Sequence, residues 1–239
     1  AYVPSRKERE DRNLLRHRMF LVRLQTMTKN RIHTIVDRNA VDLEIRSAIR
    51  DLFSREGISF LKELSLPGME RELLLSHLCL LEQLGAHIKA CESCIRREVL
   101  NDERVRFLRT VPGLGAFFSA LVALEIGDIG RFRSPERLCS YAGLVPSTHA
   151  SGDRSYHGRI TKQGNKYLRW ALVEAVWPAI RSDLDLRIYY SRMAKRRDSN
   201  VAKVATARRL LTIVYYVLKD LRPFEERRVL SSPAAICCP

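Results

Sequence analysis

The sequence contains no run of some eighteen apolar residues, so nothing in it reads as a bilayer-spanning helix, and no membrane is expected as a partner. It also lacks a basic stretch leading into an apolar core at its start, the pattern of a secretion signal, and a cytoplasmic protein is the expectation. Its six cysteines form no disulfide framework: Cys79, Cys91 and Cys94 lie in helical sequence, Cys139 is isolated, and Cys237 and Cys238 sit in a tail. Cys91-x-x-Cys94 has no second pair at zinc-ribbon spacing. His87, Cys91 and Cys94 share a helical face that is also the apolar one, which reads as a core seam, and no metal ligands are assigned. Acid is the minority charge: 42 Lys and Arg stand against 27 Asp and Glu, a net charge of +15 with a pI near 10.0. Such an excess repels itself unless a polyanion neutralises it, and nucleic acid is the commonest one.

Chain breakers are scarce at the front. Between Pro4 and Gly57 there is neither proline nor glycine, and Leu14, Leu21, Leu24, Thr28, Ile32 and Ile35 recur at helical or heptad spacing among basic residues. Ile45, Ile49, Leu52 and Phe53 read as a second helix, with Gly57 and Pro67-Gly68 as punctuation. Leu74, Leu78, Leu81, Leu84, Ile88, Cys91 and Ile95 then step by three or four along a long amphipathic helix. This seam suits an antiparallel hairpin within one chain or a coil between chains. The fold class expected is mainly α, with three regions: a helical, coiled-coil-like 1–100, a helical domain over 101–222, and a disordered tail from 223 to 239.

Within the second region, Val111-Pro112-Gly113-Leu114-Gly115 is the turn of a helix-hairpin-helix motif. Gly113 and Gly115 permit positive φ and leave the backbone bare, so the next helix would open on N–H groups to which a phosphate can bind. Ser134-Pro135-Glu136 is a helix start that runs to Gly143. Further helices are expected over about 164–180, 183–196 and 201–221, the last two mixing arginine and lysine with Tyr189, Tyr190, Tyr215 and Tyr216, most of them read as half-buried core.

The stretch 143–169 carries the chemistry. Ser151 sits in a Ser-Gly step expected to be a flexible loop, near Arg154, Arg159, Lys162, Lys166 and Arg169, with Asp153 as the single acid of the span. A hydroxyl ringed by cations suits attack on a phosphodiester. A serine hydrolase using His149 or His157 with Asp153 fits poorly, because there is no Gly-x-Ser-x-Gly elbow.

Four pieces of the chain occur in one order. They are Tyr2-Val3-Pro4-Ser5 leading to Lys29-Asn30-Arg31-Ile32-His33; the 111–115 turn; Gly130-Arg131-Phe132 to Tyr141-Ala142-Gly143-Leu144-Val145-Pro146; and Ser151-Gly152 followed by Gly158-Arg159-Ile160-Thr161-Lys162, Gly164-Asn165 and Leu168-Arg169. In these the chain resembles, over about 1–222, the DEDD-type insertion-sequence transposases, a family that includes the Piv-type DNA invertases and the bridge-RNA-guided recombinases. The resemblance implies a catalytic serine at Ser151, DNA as partner, assembly as a dimer or tetramer, and for some members a structured guide RNA. It also implies a RuvC-like domain whose four carboxylates hold magnesium. Those carboxylates would precede Ala1, and Glu8, Glu10 and Asp11 lack their spacing. The expectation is therefore a recombinase segment that bears the serine, is inactive alone, and holds no cofactor of its own, with Mg2+ required only alongside the carboxylate domain. The rival expectation is a non-catalytic helix-hairpin-helix DNA-binding module.

Overall fold

The computed structural model describes residues 2–39, 49, 51–151, 154–160 and 163–224. The fold is mainly α: α1 (Arg6–Arg38), α2 (Arg55–Glu63), α3 (Gly68–Glu98), α4 (Glu103–Leu108), α5 (Ala116–Ile126), a 3-10 turn (Ile129–Arg131), α6 (Pro135–Ala142), α7 (Lys166–Ser182), α8 (Leu184–Arg196) and α9 (Ser199–Asp220). Between α6 and α7 stand two antiparallel strands, β1 (Pro146–Ser151) and β2 (Arg154–Ile160). The chain divides into two units: Ala1–Arg12 with Arg96–Pro239, and Asn13–Ile95.

The 13–95 unit is a helical hairpin. Arg18 pairs with Glu92 at 2.6 Å and Arg38 with Glu70 at 2.9 Å, so α3 descends as α1 rises and the two run antiparallel within one chain. All seven seam residues of α3, from Leu74 to Ile95, are buried. On α1 the buried set is Leu15, Leu21, Thr28, Ile32, Ile35 and Val36, so Leu15 rather than Leu14 takes the inward position. Ile32, Ile35 and Val36 share a core with Leu52, Leu61, Leu74, Leu78 and Leu81, each contributing about 1.5–3 kcal/mol of burial. The second helix expected around Ile45–Phe53 falls largely outside the described residues. Gly57 proves not to be punctuation. It lies in the first turn of α2, where its N–H donates to the Ser54 cap at 3.1 Å and a β-carbon would strike the Leu52 carbonyl.

In the other unit α9 is the central helix, packed against α4, α6, α7 and α8. Its buried face runs from Ala202 to Leu218, and the Tyr215 hydroxyl donates to the Phe132 carbonyl at 3.2 Å. α5 is apolar almost all round, with Glu125 as its one ionisable residue, and is buried from Ser119 to Ile126, as expected of a helix enclosed by neighbours. The short α6 ends on Gly143 in the left-handed region, φ +68°, matching the stop read in the sequence. Tyr215 is core, while Tyr189, Tyr190 and Tyr216 are half-buried. The tail expected after 222 lies, from residue 225, outside the described residues. Among the described residues no helix is long and apolar enough to cross a membrane.

Candidate functional site

Ser151 does not sit in a loop. It is the last residue of β1, and its Cα partner is Arg154, the first residue of β2. His149 pairs with Tyr156 and Thr148 with His157, and a register irregularity follows before Pro146 pairs with Ile160. Thr, Tyr and Ile favour strands, but His, Ser and Gly between them blur the two-residue alternation on which a strand is read. Ser151 lies five residues from Pro146, about 17 Å along the strand at ~3.3 Å per residue. The serine thus stands at the turn end, far from the base. Arg159 lies near the base in β2, while Gly152, Asp153 and Lys162 are outside the described residues.

The base is clamped by glycine. Gly143 has φ +68° and Gly164 has φ +122°; a β-carbon on the first would strike the Gln163 carbonyl, and one on the second the Tyr141 carbonyl. The chain entering the hairpin therefore lies backbone to backbone against the chain leaving it, which no larger residue would allow. The Asn165 N–H donates to the Tyr141 carbonyl at 2.8 Å, and Arg169 Nη1 donates to the Ala142 carbonyl at 2.9 Å. Arg169, read as a phosphate ligand, is half-buried here and supports the C-terminal end of α6. Lys166, the first residue of α7, is exposed, its ammonium 5.2 Å from the Tyr167 ring centre.

Asn165 joins this clamp to the interior. Its Oδ1 caps α7 by accepting the N–H groups of Tyr167 and Leu168 at 3.0 and 3.1 Å. Its Nδ2 donates to Glu125 Oε2 at 2.7 Å and to the Tyr141 hydroxyl at 3.2 Å. Glu125 is fully buried, and its backbone carbonyl accepts from Tyr141 Oη at 3.3 Å. One amide side chain thus caps a helix and partners a buried carboxyl group. Asn165→Ala should lower stability by about 2–4 kcal/mol through both losses. Denaturant melting checks this, and a change below about 1 kcal/mol would reduce Asn165 to an ordinary cap.

Two of the four motif pieces meet beside this network. The Arg131 guanidinium lies 4.6 Å from the Tyr2 ring centre, 4.3 Å from Phe132 and 4.6 Å from Tyr141, while its Nε and Nη2 donate to the Ile126 carbonyl at 3.1 and 2.9 Å. Stacked and hydrogen-bonded in this way, it binds residues far apart in sequence. The Tyr2 hydroxyl bonds Glu8, which also accepts the Ser5 N–H at 3.0 Å and faces Arg104 at 3.9 Å. Burial opposes the charge on Glu8, yet the Ser5 and Tyr2 hydrogen bonds and the Arg104 and Arg12 charges prevail, holding its carboxyl below the usual value. Asp102 is lowered likewise: burial is outweighed by Arg104, paired at 2.7 Å. Glu10 pairs with Arg6 at 2.9 Å and Asp11 with Lys7 at 3.1 Å. Among the described residues, no three His, Cys, Asp or Glu side chains gather to hold a metal ion.

The 111–115 turn separates the two glycines read as phosphate contacts. Gly113, at φ +82°, faces the Ala175 carbonyl and lies where a β-carbon would stand 2.8 Å from Ala179, so it packs against the alanine face of α7. Its role is close packing rather than an open approach for phosphate. Gly115 is exposed, at φ −70°, with nothing within 4 Å of a β-carbon, and it brings no side chain to cap α5. What the sequence reading missed is Trp170 and Trp177, which are 39% and 42% exposed on α7. Their seven-residue spacing, two helical turns, was the available signal.

Residues 105–191 match the Transposase IS116/IS110/IS902 family. A probable family 20 transposase of Pseudomonas aeruginosa is 28% identical over 223 residues, covering 91% of this chain and 66% of that protein. The transposase for insertion sequence element IS1111A of Coxiella burnetii is 28% identical, over 82% of this chain and 58% of its own length. A pilin gene-inverting protein of Moraxella bovis is 33% identical over 53% of this chain and 40% of its own. The chain spans at most 66% of the length of these relatives.

Proposed function

We propose that this chain is the serine-bearing segment of a transposase-type DNA recombinase, with Ser151 as nucleophile. The observation that carries the reading is that the family match spans 105–191 and so takes in the hairpin with Ser151 at its turn end. The Ser151 hydroxyl attacks the phosphorus of a DNA phosphodiester and loses its proton. The ester bond to one strand breaks, and that strand leaves as a hydroxyl. A strand hydroxyl later attacks the phosphoserine, restoring the serine and rejoining the DNA. Each step exchanges one phosphate ester for another, so no nucleotide triphosphate is consumed. Arg154, the Cα partner of Ser151 at the turn end, supplies positive charge for the pentavalent phosphate, while Arg159, near the base of the hairpin, and Lys162 serve the flanking DNA backbone. Gly115, at the open N-terminus of α5, receives a backbone phosphate of the bound duplex. The magnesium-binding carboxylates are assigned to a separate domain of the assembled protein, which acts as a dimer or tetramer.

The test is to trap the covalent step. A protein joining this chain to its carboxylate domain is incubated with DNA spanning the ends of its element, denatured, and digested to peptides. A DNA-linked peptide containing phosphorylated Ser151 is expected. A link at Ser147 or Ser155 would reject the assignment, and tight DNA binding with no adduct would favour the non-catalytic module.

A further inference from the structure

Trp170 and Trp177 are the only tryptophans in the chain, and both are exposed. Tryptophan gains more from burial than most side chains, so two on one exposed helix face call for a partner. Seven residues separate them, two turns of α7, so they stand about 10 Å apart on the same face. The Trp177 ring lies 5.6 Å from Tyr190 of α8 at a tilt of 58°, and the Lys203 ammonium of α9 stands 5.7 Å from its centre. Trp170 is met edge-on by Phe118 of α5 at 5.4 Å. Each indole is therefore steadied from one side while a large part of it faces solvent.

We propose that this face of α7 and α8 stacks unpaired bases of a single-stranded nucleic acid. The inference rests on the nucleic-acid reading above and names a second partner surface, distinct from the Ser151 hairpin. Flat aromatic faces with cations beside them suit stacked bases and their phosphates. A separation of about 10 Å is close to three base steps at ~3.4 Å, so the two indoles can bracket a short run of bases. The charge agrees: residues 166–222 hold thirteen Lys and Arg against five Asp and Glu. A second copy of this chain fits less well. The centre of a protein interface is depleted of charge, whereas the Lys203–Glu174 pair, at 3.8 Å, sits within this aromatic face. A paired duplex hides its base faces and has nothing to stack on the rings.

Because both indoles lie on the proposed surface, intrinsic fluorescence reads it directly in the full chain. The probes are an oligothymidylate of about twenty nucleotides and a duplex of equal length. The single strand should quench the emission, and Trp177→Ala should weaken its binding about 5- to 50-fold while duplex affinity changes less than about 2-fold. Trp177→Phe, which keeps a ring, should restore most of the loss, and it decides the matter with the parental quench if Trp177→Ala melts early. Equal losses for both probes would overturn the stacking surface. So would unchanged single-strand affinity in Trp170→Ala and Trp177→Ala, including the case where those variants instead dissociate an oligomer in sedimentation. A chain that binds duplex but shows no single-strand quench overturns this inference and leaves the reading beneath it standing. One that binds neither probe rejects both.

Discussion

Ser151→Ala should reduce strand exchange by on the order of 10^3-fold or more, with DNA affinity and melting temperature close to the parent. The change deletes one oxygen at the turn end of a hairpin whose anchoring lies elsewhere, in Gly143, Gly164 and Asn165. An effect on rate without one on stability therefore isolates a chemical role. The assay is recombination between two element ends by a protein joined to its carboxylate domain, followed by gel or sequencing of the junctions. Ser147→Ala and Ser155→Ala are the matched controls, because both residues lie in the same strands. They should recombine at the parental rate. Parental activity in Ser151→Ala would end the nucleophile assignment.

The second large effect separates two glycines two residues apart. Gly113→Ala should destabilise the chain by about 3 kcal/mol or more. Its φ of +82° is one that L-residues seldom adopt, and the new methyl group meets backbone atoms of Ala175 and Ala179, which cannot turn aside as a side chain could. Gly115→Glu should leave stability unchanged or slightly raised, because φ is −70°, the surrounding space is open and an acid suits a helix N-terminus. The same acid repels phosphate, so duplex affinity should drop several-fold. Thermal melting and fluorescence anisotropy with a labelled duplex check both variants. Undiminished DNA affinity in Gly115→Glu would make the 111–115 turn a packing device alone.

The α3 seam could be read residue by residue because one face of a long helix repeats every three or four positions whatever it packs against. The start of α6 at Ser134-Pro135 and its stop at Gly143 were legible for a similar local reason, cap chemistry. The strands around Ser151 were not. Six or seven residues with mixed propensity hold too little alternation, and their pairing depends on a clamp between residues twenty or more positions apart. Gly57 misled because a glycine in the first turn of a helix looks like a break when the Leu52 carbonyl it must admit is unknown.

The mainly helical class, the apolar seams, the basic surplus and the residue types gathered around Ser151 could be read directly from the chain, since each follows from composition or from spacing along it. Packing in three dimensions settled what those residues do for one another. It turned Arg169 toward the Ala142 carbonyl and set Gly113 against α7 while leaving Gly115 open. It also brought Tyr2, Arg131 and Tyr141 together and left two tryptophans facing water. The physical reason is that hydrogen bonding, close backbone contact and exposure are properties of neighbours in space, which a one-dimensional pattern does not specify.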